Sequence, residues 1–326
     1  MSPSPLIDLQ PPTVAAARNA RERIAAIALR TPLLRCARAD ADDIQFKPEN
    51  LQPIGSFKLR GAANAMLSAA PGALAGGVYT ASAGNMAQGV AWCARALGVR
   101  CRVIVPEHAP ATKIAAIERL GGAVIKVPFD AWWQTMVDHQ YPGMTGLFVH
   151  PFADAAVMAG NGTIALELLE DAPDADTVYV PWGGGGLCCG IAAVMKALKP
   201  GVRVCAVEVE TAAPLAASRK AGGPVTIAAV RSFVDGIGGK GVAAEMWPLA
   251  ESLVDDVVVV SLAKIADAIR LLAERNRVIA EGAGGAAVAA ALRHTGTGAV
   301  AIVSGGNIDS QKLAAILDGR LPEEHT

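Results

Sequence analysis

Lys58 stands in the stretch ENLQPIGSFKLRGAANAM (Glu49 to Met66), behind the turn-forming Pro53-Ile54-Gly55-Ser56 and a large aromatic, Phe57. It opens a helical run carrying Ala62, Ala63, Ala65 and Met66, company that a surface lysine does not usually keep. An amine beside an aromatic and partly out of water has its neutral form favoured. A neutral amine is a nucleophile able to form a Schiff base. Read alone, the same lysine suits a surface position with its stem laid along apolar neighbours.

Three other stretches bear on that choice. Gly183-Gly184-Gly185-Gly186 follows the apolar run TVYVPW and precedes a helical one beginning at Leu187. Without Cβ atoms, consecutive backbone N–H groups can converge on one anion, and a helix N-terminus adds its positive end. This predicts a phosphate cup; the alternative is a flexible turn. It is no dinucleotide fingerprint, because Cys188 stands where the third glycine of G-x-G-x-x-G belongs. It is no Walker loop either, since Gly241 follows Gly239-Lys240. A G-x-G-x-x-A at Gly282 to Ala287 lacks a strand before it. Ser82-Ala83-Gly84-Asn85 offers a hydroxyl, backbone N–H groups and an amide at another strand-to-helix junction, which suits a carboxylate or an ordinary N-cap. Val303 to Asn307 (VSGGN) puts Ser304 at the carboxyl end of a third strand. A phosphate cup, a carboxylate-binding loop and a desolvated lysine together point to pyridoxal 5′-phosphate.

Composition narrows the partners. The 326 residues include 52% hydrophobic but only 4% aromatic ones, so the core must be built from Ala, Val, Leu and Ile. A formal net charge of -1 with 18% charged residues leaves no electrostatic footprint for nucleic acid or an anionic membrane; a small molecule is expected. Cys36, Cys93, Cys101, Cys188, Cys189 and Cys205 form no CxxC pair, and the five histidines show no metal-ligand spacing, so no metal is expected. MSPSPLIDLQPP does not read as a signal peptide, and the interrupted run Thr177 to Met195 does not read as a membrane span. A cytoplasmic protein is expected.

The elements that must position these loops alternate along the chain. GVYTAS, RCRVIVP, AVIKVP, DTVYVPW, VRVCAVEVE and AVAIVSGG are continuous apolar runs between Ala-rich helical ones. That pattern predicts an α/β fold, with mostly parallel sheet covered on both faces. A break from Tyr141 to Pro151 predicts two lobes with the ligand in the cleft between them, beyond the strands' carboxyl ends. The expected division is a large cofactor-binding domain of residues 1–75 plus 153–326 and a small substrate-loop domain of 76–152. No regulatory domain is expected after Asp309.

These motifs, in this order, resemble the fold-type II (tryptophan synthase β-like) pyridoxal-phosphate enzymes, in their threonine/serine dehydratase branch. The likeness runs from Thr31-Pro32-Leu33 to Asp309. It is carried by GSFKLRGA (Gly55 to Ala62), SAGNMAQG (Ser82 to Gly89), GGGGL (Gly183 to Leu187), DGIG (Asp235 to Gly238) and SGGNID (Ser304 to Asp309). The resemblance implies that Lys58 forms the Schiff base and Phe57 packs by the ring. It implies Asn85 on the ring hydroxyl, Gly183 to Leu187 on the phosphate, Gly236 and Glu281 beside the cofactor, and Ser304 on the pyridine nitrogen. Ser82, Ala83, Gly84 and Met86 would meet the substrate, and a homodimer is implied.

The activity implied is loss of water from an L-3-hydroxy amino acid, giving a 2-oxo acid and ammonia. Met86 replaces the family's usual His, so a bulky substrate such as 3-phenylserine is an alternative, with Trp132 and Trp133 as an aromatic wall. A β-replacement synthase, a racemase and a non-catalytic cofactor-binding protein are the other readings. Ala83 stands where serine racemase-like members carry a hydroxyl, so little racemisation is expected. EVETAAPLAAS (Glu208 to Ser218) resembles a metal loop, but Pro214 stands where that pattern has a later Asp; Glu208 and Glu210 are expected at a solvated strand end.

Overall fold

The structure, a computed structural model, describes residues 8–323 apart from Ala39 and Asp42. Part of the N-terminal stretch read above therefore lies outside the described residues. Among the described residues ten strands form two sheets. They are β1 (Leu34–Arg35), β2 (Ile44–Pro48), β3 (Val78–Ala81), β4 (Cys101–Pro106), β5 (Gly122–Val127), β6 (Leu147–Phe148), β7 (Thr177–Pro181), β8 (Arg203–Val209), β9 (Asp256–Val260) and β10 (Ala299–Val303). The larger sheet has the order β1-β2-β10-β7-β8-β9 and is parallel except for the β1–β2 pair. The smaller, β5-β4-β3-β6, is parallel throughout. Strand β6 falls inside the segment read as a break between lobes.

Twelve helices surround them among the described residues: α1 (Val14–Ile24), α2 (Lys58–Leu67), α3 (Asn85–Ala96), α4 (Ala111–Arg119), α5 (Phe129–Asp138), α6 (Ala155–Asp171), α7 (Gly186–Leu198), α8 (Pro214–Ala221), α9 (Trp247–Leu253), α10 (Leu262–Leu271), α11 (Gly282–Ala291) and α12 (Ser310–Leu317). Every residue of β7 and β10 is buried, as strands covered on both faces must be. Edge strands β5 and β9 keep exposed positions. Helix α11, GAGGAAVAAA, is apolar all round and buried along its length, so its small side chains do what few aromatics do elsewhere in this core. No helix among the described residues is long and apolar enough to cross a membrane.

Helix α2 packs between the small sheet and α6, although it precedes both in sequence. Leu59, Ala62, Ala63 and Met66 share one apolar cluster with Val78 of β3, Val90 of α3 and Val103 of β4. A buried ionic network ties the same helix to the other side. Arg60 Nε meets Glu49 Oε2 at 2.8 Å and its Nη1 meets Glu167 Oε1 at 2.6 Å. Lys47 Nζ lies 2.5 Å from Glu167 Oε2 and donates to the Thr31 carbonyl at 2.6 Å. Two cations and two anions cancel, and every carboxylate oxygen has a donor; an unpaired charge here would cost several kcal/mol. Lys58 rides on a helix pinned from the turn after β2, from α6 and from the small sheet.

Candidate active site

Lys58 is the first residue of α2. Its Nζ donates to the Pro151 carbonyl at 2.5 Å and lies 5.1 Å from the centre of the Phe57 ring. Burial brings this amine down from 10.5 to about 8, while the charge of Glu281 pulls the other way. The loop after β10 is sewn onto the same segment. Phe57 N–H donates to the Ser304 carbonyl at 3.0 Å, and Gly306 N–H donates to the Gly55 carbonyl at 2.9 Å. Gly55 holds a positive φ of 69°, which lets the chain turn into Ser56 and Phe57.

The helices that follow the Ser82 and glycine loops, α3 and α7, carry no side-chain cap. At α3 the N-cap position is Gly84. Ser82 Oγ accepts from Gly84 N–H at 3.2 Å and does not reach into the helix. Among the described residues nothing accepts from the N–H groups of Asn85, Met86 or Ala87. At α7 the N-cap is Gly185, at a φ of 92° that other residues rarely adopt. Among the described residues the N–H groups of Gly183, Gly184, Gly185, Gly186 and Leu187 also have no acceptor. A Cβ on Gly184 would stand 2.2 Å from the Phe152 ring, so this glycine is required by close approach. Two sets of unpaired amides at positive helix ends are suited to anions.

A polar chain joins the lobes beside them. Asn85 Nδ2 donates to Glu281 Oε1 at 2.9 Å, while Asn85 Oδ1 accepts from Asn307 Nδ2 at 2.8 Å. Asn307 Nδ2 also donates to the Ile54 carbonyl at 2.9 Å. Burial raises the Glu281 carboxyl from 4.5 to about 7. Gly236 lies in the 3-10 turn Asp235–Ile237, its carbonyl 3.0 Å from where a Cβ on Gly183 would sit. The structure thus brings together Phe57, Lys58, Ser82, Gly84, Asn85, Gly183 to Leu187, Gly236, Glu281 and Ser304, with Ala83 in the α3 turn.

Three sequence expectations need correction. The Met86 side chain does not line the cleft: it is 1% exposed and packs with Val90 and Ala94 in the small-lobe core. Residues four apart on a helix share a face, and on α3 that face turns inward. Trp132 and Trp133 form no wall at Lys58; Trp132 packs with Tyr79, Ile104 and Met136, and Trp133 is half exposed. Glu208 is not at a solvated strand end. It is wholly buried, accepting from Leu215 N–H at 2.8 Å and Ala216 N–H at 2.9 Å, so it caps α8 from the preceding strand. Burial lifts its carboxyl from 4.5 to about 7. Glu210 accepts from Leu262 N–H at 2.7 Å.

The structure also adds residues that the motifs do not reveal. Asn307 stands inside a motif that assigns it no role, and the turn His150-Pro151-Phe152-Ala153 reads in sequence only as a boundary. His150 stacks on His139 with ring centres 4.3 Å apart and 19° between planes, and His139 Nε2 lies 3.5 Å from Glu245 Oε1. This trio is the one grouping among the described residues with the donor types of a metal site. Its geometry does not suit one: lone pairs lie in the ring planes, so stacked rings cannot aim them at a common point. A strand followed by His-Pro ahead of a helix is the only local signal for this turn.

The model of the pyridoxal-phosphate dependent enzyme family matches residues 24–305. The chain belongs to that family. It is 42% identical over 281 residues to an L-threonine ammonia-lyase of Geobacter sulfurreducens, covering 84% of this chain and 70% of that one. A structure of maize serine racemase superposes with a TM-score of 0.85 at 32% identity, over 94% of this chain and 96% of that one. A threonine deaminase of T.th. superposes with a TM-score of 0.80 at 33% identity, over 91% of this chain and 99% of that one. The family member described here is a pyridoxal-phosphate-dependent enzyme of lyase type, and its residues fit that cofactor. The unpaired amides of the glycine loop suit a phosphate, and Lys58 is a desolvated amine bonded to Pro151, whose neighbour Phe152 packs on that loop.

Proposed function

We propose that the enzyme removes water from an L-3-hydroxy amino acid of the threonine or serine type, releasing a 2-oxo acid and ammonia. The observation that supports this reading is the Lys58 amine, brought to about 8 by burial and set between two anion-binding helix ends. Gly183 to Leu187 would hold the phosphate of pyridoxal 5′-phosphate, which when bound would supply the electron sink for the Cα electrons. Asn85 and Ser304 would hold its ring hydroxyl and ring nitrogen, Phe57 and Gly236 would lie beside it, and Glu281 accepts from Asn85. The α3 amides with Ser82 and Gly84 hold the substrate carboxylate, which fixes the Cα–H bond toward Lys58. The neutral Lys58 amine then takes the Cα proton, a step in which a positioned base contributes about 10²–10⁴-fold. Ser304 offers a hydroxyl and no charge at the ring nitrogen, so that nitrogen gains no counter-ion for a full positive charge. Ala83 presents only a methyl in the carboxylate turn and offers no second proton donor. One base returns a proton to the side it came from, so racemisation stays minor.

Oxo-acid release from L-threonine, L-serine and 3-phenylserine, in wild type and Lys58→Ala, tests the reading. Release from threonine or serine, lost by about 10³-fold or more in Lys58→Ala, is expected. No release from any of the three, or rapid formation of D-serine, overturns it.

A further inference from the structure

The Pro151 carbonyl that receives the Lys58 amine does not hold itself in place. It lies in the turn His150-Pro151-Phe152-Ala153, between β6 and α6, where the chain passes from one sheet to the other. His150 is 2% exposed, and its Nδ1 accepts from Phe152 N–H at 3.2 Å and from Ala153 N–H at 2.8 Å. Those are the amides two and three residues on, the pattern by which an Asn or Asp side chain closes a turn. Because Nδ1 accepts, the ring's hydrogen is on Nε2, which lies 3.3 Å from the Met136 carbonyl. Both ring nitrogens are committed in the neutral imidazole. A proton added at Nδ1 would face two N–H groups and undo the turn.

The surroundings resist that proton. His139 stacks on one face of the ring, and the Lys58 amine is near enough to act on it; both oppose a further positive charge. Glu245 and Asp154, the acidic groups of this cluster, act on His139. Burial and these neighbours hold His150 well below 6.5. The turn also serves the other side of the site, since the Phe152 ring lies edge-on to His150 and backs Gly184.

We propose that His150 is a positioning residue for this reaction: as the neutral Nε2–H tautomer it closes the 150–153 turn, aiming the Pro151 carbonyl at Lys58 and seating Phe152 behind the glycine loop. The inference rests on Lys58 as the acting amine. Its effect falls on turnover more than on substrate binding, because the carboxylate is held by α3, which His150 does not touch.

The holoenzyme with ¹⁵N-labelled histidine tests the geometry directly, His150 being assigned by its loss in His150→Asn. At pH 6.5, where a free imidazole is about half protonated, His150 is expected to be neutral with its hydrogen on Nε2. An Nδ1–H tautomer or a protonated ring overturns the proposal. His150→Leu keeps the bulk and removes the acceptor, whereas His150→Asn keeps an acceptor for the same two amides. His150→Leu is expected to lower kcat by about 10–100-fold, the scale of moving a reacting group by about 1 Å, with KM changed by less than about threefold. His150→Asn should regain most of that loss. Equal kcat loss in both variants marks a role in packing alone and overturns the proposal, as does full activity in His150→Leu. If the wild type releases no oxo acid at all, the lyase reading fails. The tautomer measurement then still decides whether His150 closes the turn.

Discussion

Two consecutive strand-to-helix units of the large sheet solve the same electrostatic problem in opposite ways. Strand β8 runs into α8, and the amides at the start of α8 are satisfied from within by Glu208, reaching forward from the strand. Strand β7 runs into α7, and the amides at the start of α7 meet no acceptor in the protein among the described residues. Four glycines stand there, with Phe152 and Trp182 packed where a Cβ would go. Both helix ends want an anion. One unit carries its own carboxylate, and the other leaves its amides open, as the proposed phosphate site requires. The start of α3 belongs with α7, whereas α1, α6, α10 and α12 carry side-chain caps from Thr13, Asp154, Ser261 and Asp309. The starts of α3 and α7 thus differ from those four in leaving their amides open.

The comparison breaks most sharply at Gly184. In Gly184→Val the branched side chain must displace the Phe152 ring, and the loop amides no longer converge. Losing two hydrogen bonds to a charged group costs roughly 3–6 kcal/mol, or about 10²–10⁴-fold in cofactor affinity. Cofactor retained per chain after dialysis measures this. Retention at the wild-type level would show that the glycine loop is not the phosphate site.

The counterpart at α8 should cost stability and spare the cofactor. Glu208→Leu leaves two buried amides without an acceptor, an expected loss of about 2–4 kcal/mol in urea unfolding with cofactor affinity unchanged. The pH dependence has a definite sign. The folded carboxyl, at about 7, lies above its unfolded value of 4.5, so the folded state binds more protons between these values. Stability contributed by Glu208 is thus present below pH 4.5 and declines as pH rises through about 7. Glu208→Gln should flatten that part of the profile, leaving the part due to Glu281, which is shifted in the same direction. An unchanged slope in Glu208→Gln would mean that the buried carboxyl does not titrate as its surroundings require.

The contrast also explains how much can be read before folding. The glycine loop, the α3 turn and the β10 loop are legible because each is local: a strand, a run of small or polar residues, then a helix. The parallel α/β architecture is legible for the same reason, from apolar runs such as Val178 to Val180 and Val300 to Val303. What escapes depends on contacts between distant segments. Glu208 looks like a strand-end acid until α8 folds back over it, and nothing local pairs Arg60 with Glu49 and Glu167, which close round it in the fold. His139 and Glu245 are more than a hundred positions apart. Met86 misleads for a subtler reason. Its residue number places it in the substrate loop, but a helix turn separates where its backbone points from where its side chain goes.

That separation gives the smallest expected effect. At the start of α3 the Met86 N–H belongs to the proposed anion site, while the Met86 side chain belongs to the core with Val90 and Ala94. Met86→Leu alters only the second of these. A volume-conserving swap of this kind usually costs under about 1.5 kcal/mol in stability. The helix end keeps its amides, so kcat/KM for threonine and for serine should stay within about threefold of wild type, and so should their ratio to 3-phenylserine. A side chain that touched the substrate would behave differently, because one altered apolar contact changes such a ratio by about 10–200-fold. The ratio is more telling than either rate alone, since a loss of folded protein lowers all three rates together. A shift of about tenfold or more in the ratio would return Met86 to the substrate pocket and restore a preference for bulky β-substituents as a live reading of this sequence.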